Sequence, residues 1–220
     1  FESGEGKPII LIHGIGSTCE IFKYQHGNIP GRLISVNLPG YGNSDSLNAF
    51  NFESLCACIK KFADSLGLTK FSIMGHSLGG MLAIDFTCRD KDRIEHLYLV
   101  GTTPYFGSKS GSFEKQFLKS RLDPLKQGVG MRELAKASLK KITGPSISNE
   151  TLNIIENQMA SLTKQVWEAS VRSLIGFNRE SELSNMSQPC CVVAGEYDQN
   201  APPKTMQNMS ESLPNSRYYL

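Results

Sequence analysis

Short apolar runs, separated by segments with helical spacing, organise this 220-residue chain. Pro8 to Ile12 is a continuous run rich in isoleucine, which is typical of a strand buried on both faces of a parallel sheet. Residues 52–66 instead repeat apolar positions at helical intervals, and Gly67 follows where a C-terminal cap is expected. This alternation predicts an α/β fold, a mostly parallel sheet with flanking helices. The other strand candidates are Arg32 to Leu38, Phe71 to Met74, Ile94 to Val100, Cys190 to Ala194 and a last strand from Arg217 onward.

The periodicity changes between about Tyr105 and Met186, where helical spacing dominates and buried-strand runs are absent. We therefore expect residues 105–186 to form a helical cap, inserted in a core made of residues 1–104 and 187–220. Such an insertion would cover the carboxyl ends of the strands, where α/β folds place their ligands. The division into about four helices follows from helix breakers at Pro124, Gly128, Gly130, Gly144 and Pro145.

Charge and composition exclude several classes of function. The formal net charge is +2 without a lysine or arginine cluster, so no nucleic-acid partner is expected. No apolar stretch approaches the roughly 18 residues of a membrane span, so none is predicted. The six cysteines lack the Cys-x-x-Cys spacing of zinc or redox sites. We interpret them as free, mostly buried thiols, which predicts a reducing and therefore cytoplasmic location.

Gly75-His76-Ser77-Leu78-Gly79 is the most informative motif of the chain. It follows a predicted strand and precedes an apolar, helix-compatible segment, which is the context that a nucleophile elbow requires. In such a turn the serine adopts strained backbone angles, and flanking glycines prevent clashes with the strand and helix. The motif therefore predicts a nucleophilic Ser77 at a helix N-terminus, where backbone amides can stabilise an oxyanion.

Three other segments resemble, in the same order, motifs of the capped α/β-hydrolase superfamily. His13-Gly14-Ile15-Gly16 resembles its His-Gly oxyanion motif, directly after the first long strand. Residues 37–45 resemble its Asp-x-Pro-Gly-x-Gly-x-Ser loop, although Asn37 replaces the aspartate, a change interpreted as tolerable. Gly195-Glu196-Tyr197-Asp198 resembles the loop that carries the acid of the catalytic triad. The resemblance covers nearly the whole chain and is specific to the superfamily rather than to one activity.

The resemblance implies a serine esterase or lactonase that hydrolyses a small to medium, mostly apolar substrate. Ser77 would attack the carbonyl, Asp198 would orient the catalytic histidine, and the backbone amides of Ile15 and Leu78 would hold the oxyanion. No metal or cofactor is expected, and the oligomeric state is not indicated. Candidate residues for the substrate pocket are His76, Phe106 and Trp167.

The catalytic histidine is missing from its expected place. The family order is serine, acid, histidine, yet all histidines of this chain precede Asp198. We therefore expect the base to lie beyond residue 220, the chain to be truncated at both ends, and the 220 residues alone to be inactive. Of the histidines present, His13 is interpreted as structural and His76 as a packing or hydrogen-bonding residue. His26 and His96 are interpreted as solvent-facing or locally bonded.

Other activities fit the same residues. A carbon–carbon bond hydrolase, an aminopeptidase or a cofactor-free perhydrolase would use the same triad. A ligand-binding member of the fold that has lost turnover is an alternative of a different class. A serine at position 77 disfavours chemistries that need aspartate or cysteine there, such as haloalkane dehalogenation.

Overall fold

The computed structural model describes residues 1–108 and 110–220, which build one seven-stranded sheet. Short apolar runs become its strands because extended chains bury both faces of such runs between flanking helices. The strands are β1 (Glu2–Ser3), β2 (Pro8–Ile12), β3 (Arg32–Val36), β4 (Phe71–His76), β5 (Ile94–Val100), β6 (Cys190–Val193) and β7 (Ser216–Tyr219).

The strand order across the sheet is β1-β3-β2-β4-β5-β6-β7. Every neighbouring pair is parallel except β1 with β3, so the carboxyl ends of six strands meet at one edge. The interior strand β2 pairs with both β3 and β4, and its residues Ile10 to Ile12 are fully buried. This architecture confirms the predicted α/β class with a mostly parallel sheet.

In the described part of the chain, seven α-helices connect and cover the strands. The side chain of Asn51 caps α1 by accepting a hydrogen bond from the Ser54 amide at 2.9 Å. Every residue from Leu78 to Thr87 in α2 is buried, which makes this helix the centre of the core. The helices are α1 (Phe52–Ser65), α2 (Leu78–Arg89), α3 (Ser112–Lys126), α4 (Met131–Ile142), α5 (Asn149–Ala160), α6 (Lys164–Ser173) and α7 (Pro203–Ser212).

Helices α3 to α6 fall between β5 and β6, and we call residues 105–186 the helical insertion. Its two ends are held together, because the Phe106 amide donates to the Phe177 carbonyl at 2.8 Å. Beside this contact, Arg179 forms an ion pair with Asp85, a carboxylate buried within α2, at 2.6 Å. Both connections of the insertion are thus fastened to the core next to α2.

The other end of the insertion rests on the loops after β2 and β3. Gly16 has φ +80°, and a Cβ there would lie 2.6 Å from the Met159 side chain of α5. The buried Tyr41 hydroxyl donates to Ser170 of α6 at 2.7 Å, and burial raises the pKa of Tyr41 to about 12. The insertion therefore lies directly over the edge where the parallel strands end. Among the described residues, no helix has the length and apolarity needed to cross a bilayer.

Candidate active site

Ser77 occupies a sharp turn between β4 and α2, with φ +53° and ψ −118°. Within the described chain it is the only non-glycine residue with positive φ. Such a conformation costs about 1–3 kcal/mol and persists only where surrounding contacts impose it. Here the Ser77 carbonyl accepts hydrogen bonds from the Gly80 and Met81 amides and from the Thr102 hydroxyl.

The glycines on either side of Ser77 are required by close backbone packing. A Cβ at Gly75 would overlap the Gly79 carbonyl, and one at Gly79 would overlap the Ile12 carbonyl. Strand β4, the turn and the start of α2 are therefore packed backbone against backbone. This packing holds Ser77 at the N-terminus of α2, where the helix dipole favours developing negative charge.

Two backbone amides next to Ser77 have no acceptor within the described residues. One is Leu78, the first residue of α2, whose amide precedes the helical hydrogen-bond ladder. The other is Ile15, which lies in the loop after β2 and lines a cavity together with Ser77. Free amides at this position are the donors that an oxyanion hole requires.

His13 shapes the loop that carries Ile15. Its Nε2 accepts from the Leu38 amide at 3.0 Å, so Nδ1 carries the proton and donates to the Gly14 carbonyl at 2.8 Å. The side chain is fully buried, and this burial lowers its pKa to about 4. His13 is therefore neutral near pH 7 and ties the Ile15 loop to the loop after β3.

The buried His13 makes stability dependent on pH. In the unfolded chain, His13 binds a proton below about pH 6.5, whereas in the folded chain it binds one only below about pH 4. The free energy of unfolding therefore decreases as the pH falls between these values. We expect His13 to remove about 3 kcal/mol of stability between pH 6.5 and pH 4. Urea unfolding at several pH values in this range measures how steeply the free energy of unfolding depends on pH. His13→Gln should make this dependence less steep. An unchanged slope in that variant would exclude His13 as its source.

Asp198 lies at the carboxyl end of β6, in the loop before α7. Its Oδ1 accepts hydrogen bonds from the Asn200 and Ala201 amides at 2.8 and 2.9 Å. Its Oδ2 accepts none within the described chain, and it lies 3.2 Å from where a Gly101 Cβ would be. One oxygen thus fixes the carboxylate to its loop, while the other is free for a further donor.

The ring of His76 lies between Gly14 and Gly101, close to the Asp198 carboxylate. Its buried Nδ1 has no hydrogen-bond partner in the described residues. Burial lowers the pKa of His76, and the negative charge of Asp198 opposes this shift. No hydrogen bond joins Ser77 Oγ to any histidine of the described chain, and His76 does not line the cavity to which it was predicted to contribute. Successive residues of the elbow point in different directions, and His76 packs between Gly14 and Gly101 instead of lining the cavity.

A cavity of about 140 Å³ opens above Ser77, beneath the helical insertion. The predicted pocket residues Phe106 and Trp167 line it together with Ile15 and Ser77. Most of the remaining wall is apolar, which suits an apolar substrate group. The other lining residues are Met81, Gly101, Thr102, Thr103, Phe113, Phe117, Arg121, Ile142, Met159, Val171, Leu174, Asn200 and Ala201.

Arg121 is the charged residue of this wall that the sequence interpretation missed. It follows Phe113 and Phe117 at intervals of four residues along α3, so all three share one helix face. That spacing is the signal that would have found it.

All six cysteines are free, as predicted, and the described chain contains no group of three or more His, Cys, Asp or Glu side chains arranged to hold a metal ion.

Gly14→Ala is expected to disturb the site by direct contact. The new Cβ would lie 2.9 Å from the Ser77 Cβ and 3.1 Å from the His76 ring, so Ser77 or His76 must shift. For the ester hydrolysis that the sequence predicts, we expect kcat/KM to fall about 10- to 100-fold, with a loss of about 1–3 kcal/mol in the free energy of unfolding. Gly144→Ala, whose Cβ would make only an ordinary contact, serves as the matched control. Equal activity in the two variants would contradict the predicted crowding.

Comparison with known proteins identifies a family that matches this chain. A family model described as alpha/beta hydrolase fold matches residues 7–220. A pimeloyl-[acyl-carrier protein] methyl ester esterase from Aliivibrio fischeri is 24% identical over 220 residues, covering 97% of this chain and 84% of the relative. A 2-hydroxy-6-oxononadienedioate/2-hydroxy-6-oxononatrienedioate hydrolase from Paraburkholderia phymatum is 24% identical over 239 residues, covering 100% and 81%. The solved structure of the esterase EaEST from Exiguobacterium antarcticum superposes with a TM-score of 0.91 at 20% identity, covering 100% and 84%.

Proposed function

The chain belongs to the alpha/beta hydrolase fold family, and on that premise we propose that it is a serine hydrolase of carboxylic esters or lactones. The proposed substrate is small to medium in size and mostly apolar where it contacts the cavity. Ser77 is the proposed nucleophile, Asp198 the acid of the triad, and the Ile15 and Leu78 amides the oxyanion hole. The helical insertion is proposed to act as a cap that selects the substrate.

The observation that carries the proposal is the strained Ser77 at the mouth of an apolar cavity. A serine in an ordinary turn has no need of positive φ, two unpaired neighbouring amides and glycines packed against its backbone. A pure binding site would gain nothing from the same strain, which favours an enzyme over a ligand receptor.

In the proposed reaction, Ser77 Oγ attacks the carbonyl carbon while its proton passes to a histidine. The two amides stabilise the tetrahedral oxyanion, each by about 3 kcal/mol. The carbon–oxygen bond then breaks, and the alcohol leaves with the proton from the histidine. Water attacks the acyl-enzyme by the same route and releases the carboxylic acid, which restores Ser77.

The proposed base is a histidine carried by residues that follow Leu220 in the complete protein. Strand β7 pairs in parallel with β6, so residues leaving β7 emerge at the same sheet edge as Asp198. A histidine there would find Asp198 Oδ2 unoccupied, since only Oδ1 is bonded to the loop. Substituting the first histidine after β7 by glutamine in the complete protein should abolish turnover. Full activity in that variant would exclude this base.

The test of the function uses the complete protein with p-nitrophenyl esters of short acids. We expect hydrolysis, together with labelling of Ser77 by a serine-directed phosphonate, located by mass spectrometry of the modified peptide. The exposed Ser65 of α1 should stay unlabelled and serves as the internal control. Labelling of a different serine, or hydrolysis without any labelling, would contradict the assignment.

A second candidate is hydrolysis of a carbon–carbon bond by the same serine. The observation that favours it is the similarity to the 2-hydroxy-6-oxononadienedioate/2-hydroxy-6-oxononatrienedioate hydrolase. Assaying that relative's named substrate beside a p-nitrophenyl ester separates the two activities by their kcat/KM values. A higher kcat/KM for the ester supports the esterase, and a higher kcat/KM for the substrate named in that relative supports the alternative.

A further inference from the structure

Arg121 places a positive charge at the wall of an otherwise mainly apolar cavity. It lies on α3 and lines both the cavity above Ser77 and an adjoining outer cleft. Its guanidinium carbon is 5.6 Å from the centre of the Phe117 ring, which supports one face of the charged group. Arg121 therefore lies at the passage between the space around the nucleophile and the outside.

No carboxylate of the described chain lies within ion-pair distance of Arg121. The residues three and four positions away on α3 are Leu118, Phe117, Pro124 and Leu125, which carry no charge. By contrast, the exposed Arg217 can be solvated by water. The remaining arginines each pair with a carboxylate: Arg32, Arg89, Arg93, Arg132, Arg172 and Arg179.

The hydrogen-bonding capacity of Arg121 is also largely unused. A guanidinium carries five N–H donors, and the side-chain hydrogen bond that Arg121 makes runs from Nη1 to Ser138 Oγ at 3.3 Å. Burial lowers the pKa of Arg121 from its ordinary value, because no neighbouring anion compensates the lost hydration. A partly buried cation without a counter-ion is unfavourable, and an anion in the cavity would relieve that cost.

We propose that Arg121 binds the carboxylate of a substrate that carries a second, ionised acid group. The substrate class is then the half-esters of linear dicarboxylic acids, with the ester at Ser77 and the free carboxylate at Arg121. Met159, Trp167 and Val171 line the same cavity and would contact the intervening methylene chain. A planar carboxylate matches the fork of a guanidinium by two parallel hydrogen bonds. This inference rests on the proposed serine hydrolase function, whose site it extends.

The binding test uses the complete protein with Ser77→Ala, so that no ester is consumed. Isothermal titration calorimetry compares monomethyl and dimethyl esters of the linear C4 to C8 dicarboxylic acids. We expect the monoanion of at least one chain length to bind about 10- to 100-fold more tightly than its neutral diester. Equal affinities at every length would overturn the proposal.

Arg121→Met should abolish that preference, while affinity for the neutral diesters changes less than about threefold. Arg121→Lys should keep part of the preference, because the charge remains but the fork is lost. Arg132→Met is the matched control, since Arg132 lies in the helical insertion but is paired with Glu156. If thermal melting shows that Arg121→Met is unfolded, the proposal is tested by the half-ester preference of the wild-type site and by its partial loss in Arg121→Lys. A preference that survives in Arg121→Met would also overturn the proposal.

Activity measurements separate this proposal from the proposed function. If the protein hydrolyses neutral methyl esters as fast as half-esters, Arg121 is not the specificity residue and the serine hydrolase stands. If it hydrolyses no ester but still binds half-esters through Arg121, the anion site stands and the hydrolase proposal fails.

Discussion

Replacing Ser77 with alanine is expected to lower kcat/KM for ester hydrolysis by about 10⁴- to 10⁶-fold in the complete protein. The oxygen that would form the acyl-enzyme is removed, while the Ile15 and Leu78 amides and the cavity are left unchanged. Substrate binding should therefore persist, so that the loss falls on kcat rather than on KM. The measurement is hydrolysis of a p-nitrophenyl ester at substrate concentrations on both sides of KM.

Two further variants separate the loss of the nucleophile from a change in the turn. Ser77→Gly should be as inactive as Ser77→Ala, but more stable by about 1 kcal/mol, because glycine adopts φ +53° and ψ −118° without strain. Ser65→Ala removes an exposed hydroxyl that donates to the Phe62 carbonyl and should keep full activity. Residual hydrolysis above one part in a thousand in both Ser77 variants would identify another nucleophile.

The strands and the elbow were predictable because their signals are local. Pro8 to Ile12 is apolar at every position, which is typical of a strand covered on both faces, and residues 9–12 are buried. The spacing of Gly75, Ser77 and Gly79 likewise reports backbone packing within five residues. Order along the chain then sufficed to place Ile15 and Asp198 at the same sheet edge, because parallel strands end together.

Contacts between distant segments were harder to predict from the sequence. Pro124 was interpreted as a helix breaker, yet it lies in the last turn of α3, which continues to Lys126. A single missing amide near a helix end is tolerated when the following residues still close the turn, as the Val129 amide does on the Pro124 carbonyl. The four-residue spacing from Phe113 and Phe117 indicates that Arg121 shares their helix face, but it does not reveal that Arg121 has no carboxylate partner among the described residues. The absence of a nearby carboxylate is a property of the fold, not of α3.

The replacement of aspartate by asparagine at position 37, by contrast, has an effect that could be predicted from the sequence. The change is tolerable, as predicted, because an asparagine oxygen makes the hydrogen bond that this position requires. Asn37 Oδ1 accepts a hydrogen bond from the Cys19 amide at 2.8 Å, and the backbone carbonyl of Asn37 accepts one from the Ser44 hydroxyl at 3.1 Å. Both bonds hold the loop after β3, and the one from Cys19 requires a side-chain oxygen acceptor, which asparagine supplies as well as aspartate. A local motif can therefore lose its charge where the geometry asks only for a hydrogen bond.

Asp198→Asn is expected to lower kcat by about 10³- to 10⁴-fold while leaving the fold intact. The amide oxygen can replace Oδ1 and keep the bonds from the Asn200 and Ala201 amides, so the loop before α7 should hold its shape. The amide nitrogen then replaces Oδ2 and presents a donor where the proposed histidine needs an acceptor. The histidine would lose its orientation and the negative charge that stabilises its protonated form.

Glu196→Gln is the matched control, because it neutralises an exposed carboxylate two residues away in the same loop. It should retain activity within about twofold, since a screened surface charge has little effect. Urea unfolding should give Asp198→Asn a stability within about 1 kcal/mol of wild type, which separates lost chemistry from lost structure. If Glu196→Gln were the inactive variant and Asp198→Asn the active one, the acid of the triad would be Glu196, and the free Oδ2 of Asp198 would have no part in the reaction.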